Sequence, residues 1–302
     1  MQRKLIIGTR GSPLALYQAK LVQSLLSCES EVKILKTTGD AIKGDLKDFG
    51  GKGLFTKELE EALLDTRIDL AVHSMKDVPT IGQDGLMIGA VLEREDPRDA
   101  FISHKVETLA ELPEGAVVGS ASIRRRAQLL TMRPDIKFTL LRGNVGTRLG
   151  KLINGDCDAT FLACAGLKRL GQESLITEAI DADVMLSAPA QGAIGIEIRL
   201  DDKEAQAAIT PLGHAETNIA ITAERAFLRA LDGSCRTPIA ALAEMIDGGL
   251  NFRGEVIAKD GSARFARTER LAAATVDTAF AMGFRLGQDI RGEIGDRIIW
   301  DN

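Results

Sequence analysis

In His73-Ser74-Met75-Lys76-Asp77-Val78-Pro79 an ammonium and a carboxylate stand side by side, directly after the apolar run Ile68 to Val72. Such a run reads as a strand, and the carboxyl end of a strand is where α/β proteins place their ligands. Position therefore favours a functional pair, although Lys76 and Asp77 also fit a solvated ion pair ahead of a proline turn. A Ser-His-Asp hydrolase is the weaker reading of the stretch. Ser74 has no G-x-S-x-G elbow, and neighbouring residues of a strand point to opposite faces, which separates Ser74 from His73.

A second group is cationic: Arg10, Lys52, Arg94, Arg124, Arg125, Arg126, Arg142, Arg148 and Arg169, several beside glycine. In Leu141-Arg142-Gly143-Asn144-Val145-Gly146-Thr147-Arg148 a strand end delivers Arg142, and Arg148 falls on the first turns of the next helix. Guanidinium groups grip carboxylates with two prongs, which suits a ligand carrying several of them. Each arginine alone also fits a plain surface charge. The run Arg124 to Arg126 admits nucleic acid as a rival ligand, but an aromatic content of 4%, with one Trp and one Tyr, supplies little stacking surface.

The third candidate is Cys235, in Leu231-Asp232-Gly233-Ser234-Cys235-Arg236-Thr237-Pro238, a helix-to-strand turn with an arginine next to the thiol. Arg236 would favour the thiolate, but a lone cytosolic cysteine is more often inert, so spacing alone does not select Cys235. The 4 cysteines, with Cys28, Cys157 and Cys164, form no CxxC, and no histidine stands at ligand spacing from them. Neither zinc nor a disulfide framework is expected, which fits a reducing cytoplasm.

These residues need elements to hold them. Lys4 to Ile7 reads as a strand, followed by Ser12 as an N-cap with Pro13 at the first helical position. Leu14, Tyr17, Leu21 and Leu25 then give that helix one apolar face. Strands at Val32 to Leu35, Ile68 to Val72 and Leu86 to Val91, with a helix at Leu59 to Leu64, predict a mainly parallel α/β sheet. Ala116 to Ser120 repeats the opening theme, a short strand running into Gly and Ser and then a basic helix from about Ile123. Strand, helix and strand continue at Lys137 to Leu141, Val145 to Ile153 and Ala159 to Ala163. Two similar α/β lobes are suggested, and helix N-termini in both make a cleft between them suited to anions. Beyond the strand Ala193 to Ile198 and the break at Pro211, a helix over His214 to Ala230 leads into further strands at Ile239 to Met245, Leu250 to Ala258 and Ala263 to Ala266. A last helix covers about Ala279 to Ile290, completing a small α+β domain.

With 302 residues the chain has room for two or three domains. At 45% hydrophobic and 27% charged residues it is globular in composition, and no apolar run reaches the roughly 18 residues of a membrane span. The start, Met1 to Gly8, is interrupted by Gly8, Arg10 and Gly11 before it becomes a signal peptide, so export is not expected. The net charge of -5 conceals arginines gathered in glycine-rich turns and acids on helix-like stretches such as Lys57 to Glu61. Local positive sites in an acidic chain point to a small anionic ligand.

Taken together, Gly8-Thr9-Arg10-Gly11-Ser12-Pro13-Leu14-Ala15, Gly51-Lys52-Gly53-Leu54-Phe55, His73 to Pro79, Arg142 to Arg148 and Ala188-Pro189-Ala190-Gln191-Gly192 resemble motifs of the porphobilinogen deaminase family. Glu224-Arg225-Ala226-Phe227 through Gly233-Ser234-Cys235-Arg236-Thr237-Pro238 is similar to that family's cofactor-attachment signature in order and spacing. The resemblance runs end to end. Asp48, where some relatives have lysine, and Ser234, where many have a second glycine, are departures.

The resemblance implies an α/β fold of two periplasmic-binding-protein-like lobes plus a small α+β C-terminal domain: 1–93 with 190–210, then 94–189, then 211–302. It implies a hydroxymethylbilane synthase that condenses four porphobilinogen molecules on a dipyrromethane held through Cys235, then hydrolyses off linear hydroxymethylbilane. By the same likeness Asp77 is the catalytic carboxylate with Lys76 beside it. Ser12, Lys76, Asp77, Arg124, Arg125, Arg142 and Gln191 join Cys235 as cofactor ligands. Arg10, Ser12, Arg148, Arg169, Gln191, Lys52, Phe55 and Arg94 are the substrate ligands. A cytoplasmic monomer without metal, membrane or nucleic acid is expected. A non-catalytic solute-binding protein for a polycarboxylate is the main rival, and Cys235 and the missing export signal weigh against it.

Overall fold

The computed structural model describes residues 3–37, 56–231 and 237–295. In chain order the described elements begin with β1 (Leu5–Arg10), α1 (Pro13–Leu25), β2 (Ser30–Leu35), α2 (Lys57–Leu64), β3 (Leu70–Ser74) and β4 (Leu86–Val91). Next come β5 (Asp99–Ser103), β6 (Val117–Gly119), α3 (Ile123–Met132), β7 (Lys137–Thr139), α4 (Val145–Ile153), β8 (Ala159–Ala163), α5 (Cys164–Arg169) and β9 (Glu178–Ala179). The chain continues through β10 (Ile194–Arg199), α6 (Lys203–Ile209), α7 (Ala215–Ala230), β11 (Ile239–Ile246), β12 (Gly249–Ile257), β13 (Arg264–Leu271) and α8 (Val276–Ile294). They fall into two compact units, Met1–Glu95 with Gly192–Asn218, and Asp96–Gln191 with Ile219–Asn302.

The first unit is built on a five-stranded sheet of order β2-β1-β3-β10-β4. β1 pairs in parallel with β2 and β3, whereas β10 runs antiparallel to both β3 and β4. The expected mainly parallel sheet is therefore mixed. Its fourth strand arrives from far along the chain and enters head-down, which local alternation of strand and helix cannot reveal. One face buries Leu5, Ile7, Leu70, Val72, Ile194, Ile196 and Ile198 under Ala19, Val22, Ala205 and Ile209 of α1 and α6. The other packs Ala71, Ile68 and Leu86 against Leu59, Ala62 and Leu63 of α2.

Ser12 caps α1 as the sequence predicts, its Oγ accepting from the Ala15 N–H at 3.3 Å with Pro13 in the first turn. The buried face differs from the expected one. Tyr17 and Leu25 are 41% and 48% exposed, and Gln18, Ala19 and Val22 lie against the sheet. Small Ala19 allows close approach, and Gln18 tolerates burial because its Nε2 donates to Ser74 Oγ at 2.8 Å.

In the second unit a five-stranded sheet of order β7-β6-β8-β5-β9 repeats the same plan. β6 is parallel to β7 and β8, and β5 enters antiparallel to β8 and β9. β5 thus occupies the place that β10 holds in the first sheet. Nothing in the sequence alternation marked a strand between Val91 and Ala116, yet β5 is buried along its whole length. Phe101 and Phe161 pack on one face with Val118 and Leu129, and Ile102, Leu149, Leu152 and Leu167 on the other. The same unit carries the three-stranded antiparallel sheet β11-β12-β13, covered by α7 and α8 around Phe227 and Phe252, whose ring centroids are 5.3 Å apart. The α/β class and the small α+β element are as expected. Among the described residues no helix is long and apolar enough to cross a membrane.

Candidate functional site

In the first unit, parallel pairing of β1 with β3 sends both strands to finish at the same sheet edge, where their loops carry the candidate residues. β1 ends on half-buried Arg10, with Ser12 two residues on at the helix cap. β3 runs into a single 3₁₀ turn, Met75–Asp77, that presents Lys76 and Asp77 as exposed side chains. The turn is anchored from below. Met75 is buried, its N–H donates to Ala193 O at 3.0 Å, and the Val78 N–H closes the turn on Met75 O at 3.3 Å. Gly195 makes room for this, since a Cβ there would sit 2.1 Å from the Met75 sulfur. Half-buried Arg94 is tied by its backbone, its N–H donating to Thr217 Oγ1 at 3.0 Å.

The hydrolase reading ends here. Ser74 Oγ is engaged with Gln18 on one face of the sheet, and His73 Nε2 lies 3.0 Å from Glu197 Oε2 on the other.

In the second unit, α3 begins at its Ser122 cap and turns two successive arginines inward onto β5. Arg125 reaches Asp99 Oδ1 through Nε at 3.1 Å and Nη2 at 2.7 Å, and donates from Nη1 to Phe161 O at 2.7 Å. Arg124 Nη1 lies 2.6 Å from Leu186 O and 2.8 Å from Asp99 Oδ2. Gln191 joins the same carboxylate, its Nε2 donating to Asp99 Oδ1 at 2.9 Å and to Pro97 O at 2.7 Å. Asp99 is wholly buried, and Arg124, Arg125 and Gln191 nearly so. Three predicted ligands thus converge on an acid that sequence reading passed over. Its only signal was a charge opening the apolar run Ala100-Phe101-Ile102.

Burial alone would push the Asp99 carboxyl up, but the charges and hydrogen bonds of Arg124 and Arg125 hold it well below the usual carboxylate range. Burial pulls Arg124 below its usual value, Asp99 opposes that, and the like charge of Arg125 adds to it. Asp99 is the carboxylate that both guanidiniums share, and the charge of buried Glu255 also acts on Arg124. The third arginine of the run, Arg126, lies over the Phe138 ring at 4.9 Å, so Arg124 to Arg126 is not an exposed basic stripe.

The remaining candidates of this unit stand on turns. Half-buried Arg142 follows β7, and Arg148 on α4 donates through Nε to Gly143 O at 2.8 Å, bracing the intervening turn. Asn144 caps α4, its Oδ1 accepting from the Thr147 N–H at 2.9 Å. Arg169 closes α5. The neighbouring Lys168 meets Asp96 at 3.2 Å, which Arg98 also binds at 2.8 Å. Burial opposes ionisation of Asp96, yet these hydrogen bonds bring its carboxyl down to about 2. Lys52, Phe55 and Cys235, with Asp48, lie outside the described residues.

Residues 5–207 match the family model "Porphobilinogen deaminase, dipyromethane cofactor binding domain", and residues 218–292 match "Porphobilinogen deaminase, C-terminal domain". The porphobilinogen deaminase of Paracoccus denitrificans (strain Pd 1222) is 50% identical over 299 residues, covering 96% of this chain and 95% of that protein. Similar solved structures include an ABC transporter periplasmic substrate-binding protein from Coxiella burnetii, 14% identical, with TM-score 0.43, covering 69% of this chain and 91% of that one. Another is a nutrient binding protein from Burkholderia cenocepacia bound to methionine, 16% identical, with TM-score 0.40, covering 66% of this chain and 86% of the other.

Proposed function

The chain belongs to the porphobilinogen deaminase family, and from that membership we propose that its dipyrromethane hangs from Cys235, that Asp77 with Lys76 serves the chemistry, and that arginines hold the acid side chains. Its reaction is a transferase reaction of porphyrin and haem biosynthesis. Porphobilinogen is condensed head to tail on the dipyrromethane with loss of ammonia, and linear hydroxymethylbilane is released by hydrolysis.

The observation that most supports this reading of the residues is the buried cluster in which Arg124 and Arg125 of α3 and Gln191, brought from separate parts of the chain, meet at Asp99. That donor set fits a pyrrole cofactor bearing carboxylates. Arg124, Arg125, Arg142, Ser12 and Gln191 would hold the group, and Cys235 would anchor it. When bound, the dipyrromethane supplies the nucleophilic pyrrole carbon at which the chain grows.

Asp77 acts on the incoming porphobilinogen. Loss of ammonia from the aminomethyl group leaves an electron-deficient azafulvenium, which a carboxylate stabilises electrostatically while accepting a hydrogen bond from a pyrrole N–H. Lys76 stands next to it on the same anchored turn. Arg10, Ser12, Lys52, Arg94, Arg148, Arg169 and Gln191 orient the acetate and propionate groups, and Phe55 packs on the apolar face of the pyrrole ring. Each addition brings more carboxylates, which accounts for more arginines than one small acid would need. The three-domain division, the monomeric state, the cytoplasmic location and the lack of a nucleic-acid partner belong to the same proposal.

Intact-mass analysis tests it. The purified chain is expected to carry one dipyrromethane that Cys235→Ser abolishes, and active protein without the adduct would refute the cofactor assignment.

A further inference from the structure

β3 ends two residues before Lys76, so whatever fixes its last residues fixes the turn that presents Asp77. Two side-chain contacts do so from opposite faces: Ser74 with Gln18 of α1 at 2.8 Å, and His73 Nε2 with Glu197 Oε2 of β10 at 3.0 Å. In the antiparallel register His73 faces Gly195 and Ala71 faces Glu197, so His73 and Glu197 are diagonal neighbours across adjacent strands. Their side chains are 4% and 5% exposed, within a face otherwise filled by Ala71, Leu59, Leu63 and Ile68. Glu60 of α2 shares these surroundings. Its carboxyl is raised by burial, lowered by a hydrogen bond with Thr56, and raised again by the charge of Glu197.

An imidazole and a carboxylate buried together are poor value as packing, because apolar residues of similar volume usually stabilise as well or better. Neither group has a part in the chemistry assigned to Asp77. We propose that His73 and Glu197 are a positioning pair, a strap from β10 to β3 that sets the orientation of the Lys76-Asp77 turn for turnover. The strap works in concert with the Met75 N–H bond to Ala193 O, made just beyond the paired ends of β3 and β10, and with the seat of Met75 on Gly195 of β10. The inference rests on Asp77 being the catalytic carboxylate.

The test compares holoenzymes of the parent, Glu197→Gln, the double variant His73→Leu with Glu197→Met, and Asp77→Asn. Adduct content by intact mass, urea midpoint, kcat and KM are measured for each. The double variant is expected to keep its adduct, a KM within about twofold and a urea midpoint near the parent's, while kcat falls about tenfold or more. Glu197→Gln keeps an acceptor in the same place and should hold kcat within about threefold. Parent-like kcat in the double variant, with turnover lost in Asp77→Asn, overturns the strap. Unchanged turnover in Asp77→Asn instead overturns the assignment of Asp77. If the double variant does not fold, the single variant His73→Leu decides: a tenfold fall in kcat with full adduct and KM within about twofold supports the strap, and parent-like kcat overturns it.

Discussion

Replacing Asp99 with asparagine removes the one carboxylate that faces both Arg124 and Arg125, while leaving the shape of the side chain almost unchanged. The oxygen that remains can still accept from Arg125 and Gln191, but the amide nitrogen then confronts Arg124 Nη1, which is 2.8 Å from Asp99 Oδ2. Removing one partner of a buried ion pair costs about 3–5 kcal/mol, since the other charge stays buried without compensation. Asp99 serves two guanidiniums, and only the charge of Glu255 on Arg124 would remain, so the upper half of that range is expected for Asp99→Asn. At about 1.4 kcal/mol per decade, the unfolding equilibrium shifts by roughly three orders of magnitude. Urea unfolding followed by far-UV circular dichroism reads the change as a lower midpoint at unchanged slope. Amide exchange should place it in β5, β8 and the first turns of α3. The folded carboxyl is held below its unfolded value, so its contribution is complete above the usual carboxylate range and is lost only as pH falls through the depressed value. The gap between parent and variant should therefore stay constant from about pH 5 to pH 8. A loss under about 1 kcal/mol would refute the picture of Asp99 as the hub of a buried charge cluster.

Asp96, brought down to about 2 by Arg98 and Lys168, adds stability that is full above its unfolded value and disappears as pH falls from there through about 2. Melting temperatures of the parent and Asp96→Asn should accordingly converge between about pH 4 and pH 2, and a gap that persists at pH 2 would contradict those contacts. Burial pushes the Cys164 thiol up to about 11 and raises Cys157 as well. Iodoacetamide at pH 8 should leave both unmodified in the native chain and label both in urea, as mass mapping would read. Modification of Cys164 faster than global unfolding would overturn its burial.

Much of the chain's organisation is visible in its residues because the strands are short apolar runs and the caps are explicit. Val145–Ile153 and Leu86–Val91 have the predicted limits, and Ser12-Pro13 opens a helix where such a pair should. β5 escaped notice because its pairing partners, β8 and β9, lie more than fifty residues away, and Asp99 interrupts its apolar pattern at the start. The buried face of α1 differs from the apolar stripe for a related reason. Hydrophobicity ranked Tyr17 and Leu25 above Gln18, but a hydrogen-bonding partner on β3 makes Gln18 the residue that is buried. For the site, residue types and turn positions singled out Arg124, Arg125 and the Lys76-Asp77 pair. Their organisers, Asp99 and Glu197, are acids inside strands whose roles depend on residues distant in sequence. Asp77 as catalyst and Cys235 as anchor rest on the family likeness, because spacing alone favours a solvated pair and an inert thiol.

The most direct test of the account is intact-mass analysis of the purified chain and its Asp77→Asn variant, each mixed with porphobilinogen and quenched at intervals. The parent is predicted to carry the dipyrromethane and then a ladder of successive pyrrole additions, and Asp77→Asn to carry the dipyrromethane with almost no ladder. A ladder growing on Asp77→Asn at the parent's rate would contradict it.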